Sequence, residues 1–124
     1  MTTAIEPWLA VPDAPEALDF YRNAFGAVEA YRLDDDDGRP VVAQLSVDGA
    51  GFWVQDDADA SPVAPGVGSV RMILSVEDPD ALFERASRAG ARTVAPVHEE
   101  HGWRTGRLTD PFLARLGAQQ TSLT

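Results

Sequence analysis

The feature that most limits how this chain can fold is an internal repeat. Residues 11–18 are Val-Pro-Asp-Ala-Pro-Glu-Ala-Leu, and residues 76–82 repeat them as Val-Glu-Asp-Pro-Asp-Ala-Leu with one residue deleted. Residues 24–27, Ala-Phe-Gly-Ala, match residues 88–91, Arg-Ala-Gly-Ala, at an offset of 64. A match at a fixed offset indicates duplicated structure, and two copies indicate duplication rather than a solenoid. The chain therefore has two related halves.

Each matched segment predicts a capped helix. Asp13 and Asp78 can accept hydrogen bonds from the free N–H groups of a first turn, and a proline follows each closely. Gly26 and Gly90 are typical of the left-handed residue that ends a helix. Apolar residues recur at spacings of three and four, so each helix has one apolar stripe that can pack on a sheet. The stripes are Ala17, Leu18, Tyr21 and Phe25, and then Leu82, Ala86 and Ala89.

Strand-like runs surround both helices. They cover residues 5–11, 28–33, 40–48 and 52–55, and then 69–76, 91–97, 103–109 and 113–119. Asp37-Gly38 and Asp48-Gly49 indicate hairpins. Residues 57–68, rich in Ala, Pro, Gly and Asp, predict a surface linker. The predicted fold class is α+β: a single domain, residues 1–124, of two βαβββ modules at about 4–56 and 69–120.

Alternation along the strands predicts which side chains share a face of the sheet. The residues expected to face the helices are Leu9, Val11, Ala43, Leu45, Val47, Val70, Met72, Leu74 and Val76. The opposite face would carry Glu6, Trp8, Ala10, Val42, Gln44, Ser46, Ser69, Arg71, Ile73 and Ser75. In the fourth strand the pattern leaves open which of Phe52 with Val54, or Trp53 with Gln55, faces the helix. Aromatic side chains beside a few polar groups suit a small-molecule site, so the second face is predicted to line a cup.

Composition excludes several classes of function. A chain of 124 residues can bury a core without disulfides, and it contains no cysteine, which fits a reducing, cytoplasmic environment. No basic segment precedes an apolar one at the N-terminus, and no run of 18 apolar residues occurs, so neither secretion nor a membrane span is expected. A net charge of −10 repels phosphate backbones, so no nucleic-acid partner is expected.

Four segments in order resemble the vicinal oxygen chelate superfamily of glyoxalases, extradiol dioxygenases and bleomycin-resistance proteins. They are residues 8–11, 17–27, 76–82 and 102–112. The first is Trp-Leu-Ala-Val. Residues 17–27 are similar to the family segment A-x-x-F-Y-x-x-x-F-G-A, and residues 102–112 are similar to its ending G-x-R-x-G-x-(V/L)-x-D-P-F. The resemblance spans nearly the whole chain. It implies two βαβββ modules that curl eight strands around a cavity, a small-molecule ligand or substrate, and a homodimer.

The resemblance also implies where catalytic relatives hold a divalent metal. The corresponding positions look like Glu6, Gln55 or Trp53, Arg71 and Gly117. A guanidinium repels a cation and glycine has no side chain, so this set is broken and no metal or other cofactor is expected. Leu113 also stands where the family has a glycine after Asp-Pro-Phe.

Two further motifs could suggest metals. His98-Glu99-Glu100-His101 lacks the spacing of a helical zinc motif and is expected in a solvated loop between strands, although the histidines could line the cavity mouth or act as a base. Asp34 to Asp37, followed by Gly38, lacks the 12-residue spacing of a calcium loop and predicts a charged hairpin tip.

The candidate ligand-binding residues are Glu6, Trp8, Gln44, Trp53, Gln55, Arg71, Ile73, Trp103 and Arg104, and Glu6 is the candidate catalytic base. Each tryptophan could equally lie in the core or at a dimer interface. Arg71 could clamp an anionic group of a ligand or form a salt bridge with Glu6. Arg104 and Arg107 fall near the same end of the fold and could assist Arg71, or either could be exposed.

The sequence favours a metal-free protein that sequesters a planar or aromatic, antibiotic-like ligand between tryptophan and arginine side chains. Its acidity suits a cationic ligand through long-range attraction. The alternative is an enzyme, a glyoxalase-like lyase, isomerase or dioxygenase, that uses a metal or uses Glu6 as a base and Arg71 to stabilise an anion. A dimeric scaffold without a ligand is the third possibility.

Overall fold

The computed structural model describes residues 3–60 and 72–111, and the backbone of residues 117–122. The chain divides into two compact units, unit 1 (Met1–Ser61) and unit 2 (Pro62–Thr124). The elements of unit 1 are β1 (Trp8–Val11), α1 (Ala14–Phe25), β2 (Val28–Asp34), β3 (Pro40–Val47) and β4 (Ala50–Asp56). Unit 2 contains β5 (Met72–Ser75), α2 (Pro79–Arg88), β6 (Arg92–Glu100), β7 (Trp103–Thr109) and β8 (Gly117–Ser122).

Both units have the same sheet topology. The strand order is β1-β4-β3-β2 in unit 1 and β5-β8-β7-β6 in unit 2, so the first strand of each unit pairs in parallel with its last. The other neighbours are antiparallel. The predicted α+β class with two βαβββ modules and one helix in each is thus confirmed.

The core of unit 1 lies between α1 and one face of its sheet. Tyr21 and Leu18 are fully buried on α1, and Leu45 and Val54 are buried beneath them on β3 and β4. Tyr21 meets Phe52 edge to face, with ring centroids 5.3 Å apart. This settles the side of β4 that the sequence left open: Phe52 and Val54 face α1.

The predicted helix ends are largely confirmed. The Asp13 carboxylate accepts from the backbone N–H of Glu16 at 3.3 Å, and that of Asp78 accepts from Ala81 at 3.1 Å. Gly26 ends α1 in the left-handed region, with φ of 70°. The second helix differs, because its cap is Ala89 in a right-handed conformation and the positive φ falls on the following Gly90.

Several predicted boundaries were wrong. The first strand begins at Trp8 rather than residue 5, and β8 runs on to Ser122. Strand β6 continues through His98 to Glu100, so His98 lies in a strand and only His101 and Gly102 form the turn. Both of these turn residues have positive φ, which suits a two-residue hairpin and extends the pairing that the sequence ended at Val97.

Both predicted hairpins of unit 1 are present, the Asp48-Gly49 turn between β3 and β4 and the acidic tip at 34–37 between β2 and β3. Most of the predicted linker, and residues 69–71 and 113–116 of two predicted strands, lie outside the described residues. In the part of the chain that the structure describes, neither helix is long and apolar enough to span a bilayer.

Candidate functional site

The face of the unit 1 sheet opposite α1 brings together five of the predicted ligand-binding residues. We call it the indole face, and it carries Glu6, Trp8, Gln44, Trp53 and Gln55. Glu6 precedes β1 directly, and the other four lie on β1, β3 and β4. Alternation along the strands predicted that Glu6, Trp8 and Gln44 share a face, and the structure bears this out. The side of Trp53 and Gln55, which the pattern left open, is shown by their contacts with Glu6 and Trp8.

The two tryptophans of this face form a stacked pair. Trp8 and Trp53 are register partners on the parallel strands β1 and β4, which places their rings side by side with centroids 5.7 Å apart and planes 21° apart. The indole N–H of Trp8 donates to Gln55 Oε1 at 2.9 Å. Trp8 remains 54% exposed, so a broad aromatic surface faces solvent with its polar atom already engaged.

A fixed carboxylate lies beside this pair. Glu6 Oε1 accepts from the indole N–H of Trp53 and from Gln44 Nε2, both at 2.8 Å. Two donors on one oxygen hold the carboxylate in a single orientation. No hydrogen bond to the other oxygen, Oε2, is present among the described residues, so it can accept from a ligand.

Gly51 makes room for that carboxylate, and the sequence analysis missed it. Gly51 lies on β4 two residues before Trp53, and a Cβ there would lie 3.0 Å from Glu6 Cδ and closer still to Oε2. Any larger residue would therefore push the carboxylate away. A glycine inside a strand is the sequence signal for such a close approach.

Tyr31 is the second residue that the sequence missed. Its ring centroid lies 6.0 Å from that of Trp53, which adds a third aromatic ring to the indole face. A register shift on β2 between Glu29 and Tyr31 interrupts simple alternation along that strand, so face assignment from sequence fails there.

Charge in unit 1 is strongly negative. Thirteen of the 20 acidic residues but only three of the 10 basic ones lie in residues 1–60, so this half carries the whole net charge of −10. Its three arginines, Arg22, Arg32 and Arg39, are all in ion pairs with carboxylates of the same unit. None of the salt bridges of the described residues involves Glu6.

One of these ion pairs ties the end of β4 to the helix. Arg39 donates to both carboxylate oxygens of Asp56, at 2.9 and 3.0 Å, and Asp56 Oδ1 also accepts from the backbone N–H of Ala14 at 2.9 Å. These hydrogen bonds, that from Arg39 foremost, lower the pKa of Asp56 below its ordinary value. The strand that carries Trp53 is thereby anchored at its carboxyl end.

The remaining predicted residues lie in unit 2. Ile73 is 61% exposed on the face of β5 opposite α2, and Trp103 is 42% exposed at the start of β7. Arg104 instead forms a bidentate salt bridge with Asp80 at the start of α2, at 2.6 and 2.8 Å, which lowers the pKa of Asp80. Arg71 lies outside the described residues, so both its clamp and its salt bridge to Glu6 stay predictions.

The histidine motif forms a local cluster on the β6–β7 hairpin. His98 Nδ1 lies 2.8 Å from the carbonyl oxygen of Pro96, and Nε2 lies 3.1 Å from Glu100 Oε2. The Pro96 carbonyl and the Glu100 carboxylate raise the pKa of His98. Within the described residues no group of three or more His, Cys, Asp or Glu side chains is arranged to hold a metal ion.

Comparison with known proteins gives several relatives, and the matching segments cover 65% to 77% of their length. An uncharacterised protein of Mycobacterium bovis is 38% identical over 117 residues, which cover 88% of this chain and 77% of that protein. An uncharacterised protein of Arabidopsis thaliana is 31% identical over 109 residues, or 78% of this chain and 65% of that one.

Solved structures show the same fold. TioX from Micromonospora sp. ML1 superposes with a TM-score of 0.78 at 24% identity and covers 99% of this chain and 100% of its own. The fosfomycin resistance protein FosX from Listeria monocytogenes has a TM-score of 0.71 at 17% identity, with 100% and 95% covered. The model of the Glyoxalase/Bleomycin resistance protein/Dioxygenase superfamily matches residues 3–116. With the duplicated βαβββ units, this shows that the chain belongs to that superfamily.

Proposed function

We propose that the protein binds a small planar or aromatic molecule on the indole face and sequesters it without chemical change. The observation that carries this proposal is the exposed, stacked Trp8–Trp53 pair beside the fixed Glu6 carboxylate. Aromatic plates supply affinity by stacking, and a few oriented polar groups fix the pose of the ligand. An antibiotic-like molecule is a ligand of this kind.

The charge of unit 1 favours a cationic ligand. Its surplus of carboxylates attracts cations over a long range, and Oε2 of Glu6 can accept a hydrogen bond from an ammonium or amidinium group. A cation over the face of an indole gains about 0.5–2 kcal/mol more, depending on how far it is desolvated.

The side chains of this face do not fit a metal centre of the family's type. Oε1 of Glu6 already accepts from Trp53 and Gln44, and the oxygen of Gln55 accepts from Trp8, so of the oxygens of these two side chains only Oε2 of Glu6 is without a hydrogen bond among the described residues. The other two positions hold arginine and glycine, which cannot ligate a cation. A protein without a cofactor is therefore part of the proposal.

The test of this function measures the binding of proflavine, a planar cationic dye. Binding is followed by the quenching of tryptophan fluorescence. Trp8→Ala should weaken proflavine binding about tenfold, and Glu6→Gln should weaken it by a similar factor while leaving the neutral acridone unaffected. Trp103→Phe, in unit 2, serves as the matched control. If Trp8→Ala and Trp53→Ala both bind proflavine as the unaltered protein does, the indole face is not the site.

An enzyme is the second candidate, because Oε2 of the Glu6 carboxylate, which accepts no hydrogen bond from the described residues, could take a proton from a bound substrate. Loss of turnover in Glu6→Gln with folding intact would favour it. About one tightly bound metal ion per chain, in protein purified without chelator, would contradict sequestration without a cofactor.

The proposal includes a homodimer, as the family resemblance implies. Strand β2 is an edge strand of unit 1 and exposes the apolar side chains of Val28, Tyr31 and Leu33, which a second copy could cover. Light scattering at micromolar concentration measures the mass, and a strictly monomeric protein would contradict this part of the proposal.

A further inference from the structure

Strand β7 presents two polar groups that have no partner. Gly106 and Leu108 face α2, since a Cβ on Gly106 would lie 3.0 Å from the Phe83 ring and Leu108 is fully buried. Alternation therefore directs Thr105 and Arg107 to the opposite face of the unit 2 sheet. Arg107 Nε and Thr105 Oγ1 are both shielded from solvent, and neither makes a hydrogen bond within the described structure.

No salt bridge to Arg107 is present among the described residues of unit 2. Asp80 and Glu99 pair with Arg104, and Glu100 pairs with His98. The guanidinium cannot lose its charge, so burial leaves its Nε–H in need of an acceptor. Native proteins keep few such groups, and those that remain call for a specific explanation such as an absent ion or ligand.

The duplication shows what kind of acceptor fits. Trp8, Trp53 and Gln44 form one row across the unit 1 sheet, and in unit 2 the equivalent row is Ile73, Gln119 and Arg107. Arg107 thus takes the place of Gln44, which donates to the carboxylate of Glu6.

The second half of the sequence has no acidic residue at the position equivalent to Glu6. Glu6 lies two residues before Trp8, and the residue two before Ile73 is arginine. Unit 2 therefore keeps a donor at this position, and its guanidinium is a stronger donor than the amide of Gln44. It does not keep an acidic residue at the position of Glu6. A carboxylate from outside the chain would complete the arrangement.

We propose that Arg107 and Thr105 form a second binding site, which takes the carboxylate group of an aromatic small molecule. The planar guanidinium can donate to both carboxylate oxygens, and the Thr105 hydroxyl adds a further donor. Trp103 lies on the same face of β7, two residues before Thr105, and its half-exposed ring offers a surface for an aromatic ligand. This site lies within unit 2 and does not depend on the function proposed for the indole face.

The test uses three probes of one shape: benzoate, neutral benzamide and cationic benzamidine. We expect benzoate to bind at least about tenfold more tightly than benzamide, because a charged acceptor strengthens each hydrogen bond. Arg107→Gln should weaken benzoate binding about tenfold or more, and Thr105→Val should weaken it less. Arg92→Gln, an exposed arginine on β6, is the control with the same change in charge and should bind benzoate normally.

A second readout separates a ligand site from a structural role. Thr105→Val removes a buried hydroxyl without a partner, so the ligand-free variant should have a Tm equal to or above that of the unaltered protein. A clear fall in this Tm would show that the hydroxyl serves the fold and would overturn the proposal. Unchanged benzoate affinity in Arg107→Gln would also overturn it, as would benzoate binding that Trp8→Ala abolishes and Arg107→Gln does not.

Discussion

The two units share their topology and an aspartate cap at the start of each helix, but they differ in which side chains they bury and which they expose. In unit 1 the sheet and α1 enclose Tyr21, Phe25, Phe52 and several aliphatic side chains, whereas the described part of α2 buries only Pro79 and Ala86. The indole face has a tryptophan pair with its own carboxylate, and the equivalent row of unit 2 has Ile73 and Arg107. Duplication has thus kept the elements that make the fold and changed the side chains on the face of each sheet opposite its helix.

The largest difference should appear in the cores. Leu18 and Leu82 occupy matching positions of the two helices, but Leu18 is 1% exposed and Leu82 is only partly buried. Leu18→Ala should lower the free energy of unfolding by about 3 kcal/mol and Leu82→Ala by about 1 kcal/mol. Urea unfolding measures both, and equal losses would contradict the contrast between the two cores.

A smaller difference in stability should separate alanine substitutions at Gly51 and Gly106, where in each case an added Cβ would meet a neighbouring side chain. A Cβ on Gly106 would lie 2.9 Å from Val97 and 3.0 Å from Phe83, so Gly106→Ala should cost about 1–3 kcal/mol of stability. Gly51→Ala should cost less, because the Glu6 side chain can turn away, but it should weaken proflavine binding. A Gly51→Ala protein that binds the dye normally would remove Glu6 from the site.

Acid should weaken unit 1 through Asp56. Its pKa is lowered in the folded protein, so its contribution is complete above the unfolded-state pKa of about 4 and is lost as the pH falls through the folded value. Asp56→Asn should remove about 1 kcal/mol near neutral pH and reduce the dependence of stability on pH below about 4. Asp48→Asn, in an exposed turn, is the control, and identical acid unfolding of both variants would contradict the role of Asp56.

The smallest effect is expected at the Arg104–Asp80 salt bridge of unit 2. Both side chains are largely exposed, so solvent and salt screen the pair. Arg104→Gln should shift the urea midpoint slightly at low salt and not at high salt. A large loss that persists at high salt would show that this pair is part of the framework of unit 2.

Much of this organisation could be predicted from the sequence. The repeat and the caps predicted two βαβββ units, and alternation placed Glu6, Trp8 and Gln44 on one face because side chains on regular strands alternate strictly. The prediction of side-chain positions failed where the strand pairing is irregular and where a contact joins residues far apart in sequence. The register shift on β2 concealed Tyr31, and no local pattern shows that Arg104 turns to Asp80 across 24 residues of chain.

Arg107 illustrates the other limit of sequence reasoning. It could be grouped with Arg104 because the two are near in sequence. They are three positions apart on β7, however, so alternation puts them on opposite faces of the sheet. Only the pairing register, together with the surroundings of each atom, shows that Arg104 has a partner and that the Nε of Arg107 has none among the residues that the structure describes.

The stacked indoles of unit 1 also have an optical consequence. Two identical chromophores held with centroids 5.7 Å apart and planes 21° apart couple their excited states, and such a pair absorbs left- and right-circularly polarised light unequally. Both rings of the pair lie in unit 1, so the pair gives the indole face an exciton signal of its own. A molecule that shifts either ring changes the coupling, and circular dichroism of the unlabelled protein can therefore follow its arrival.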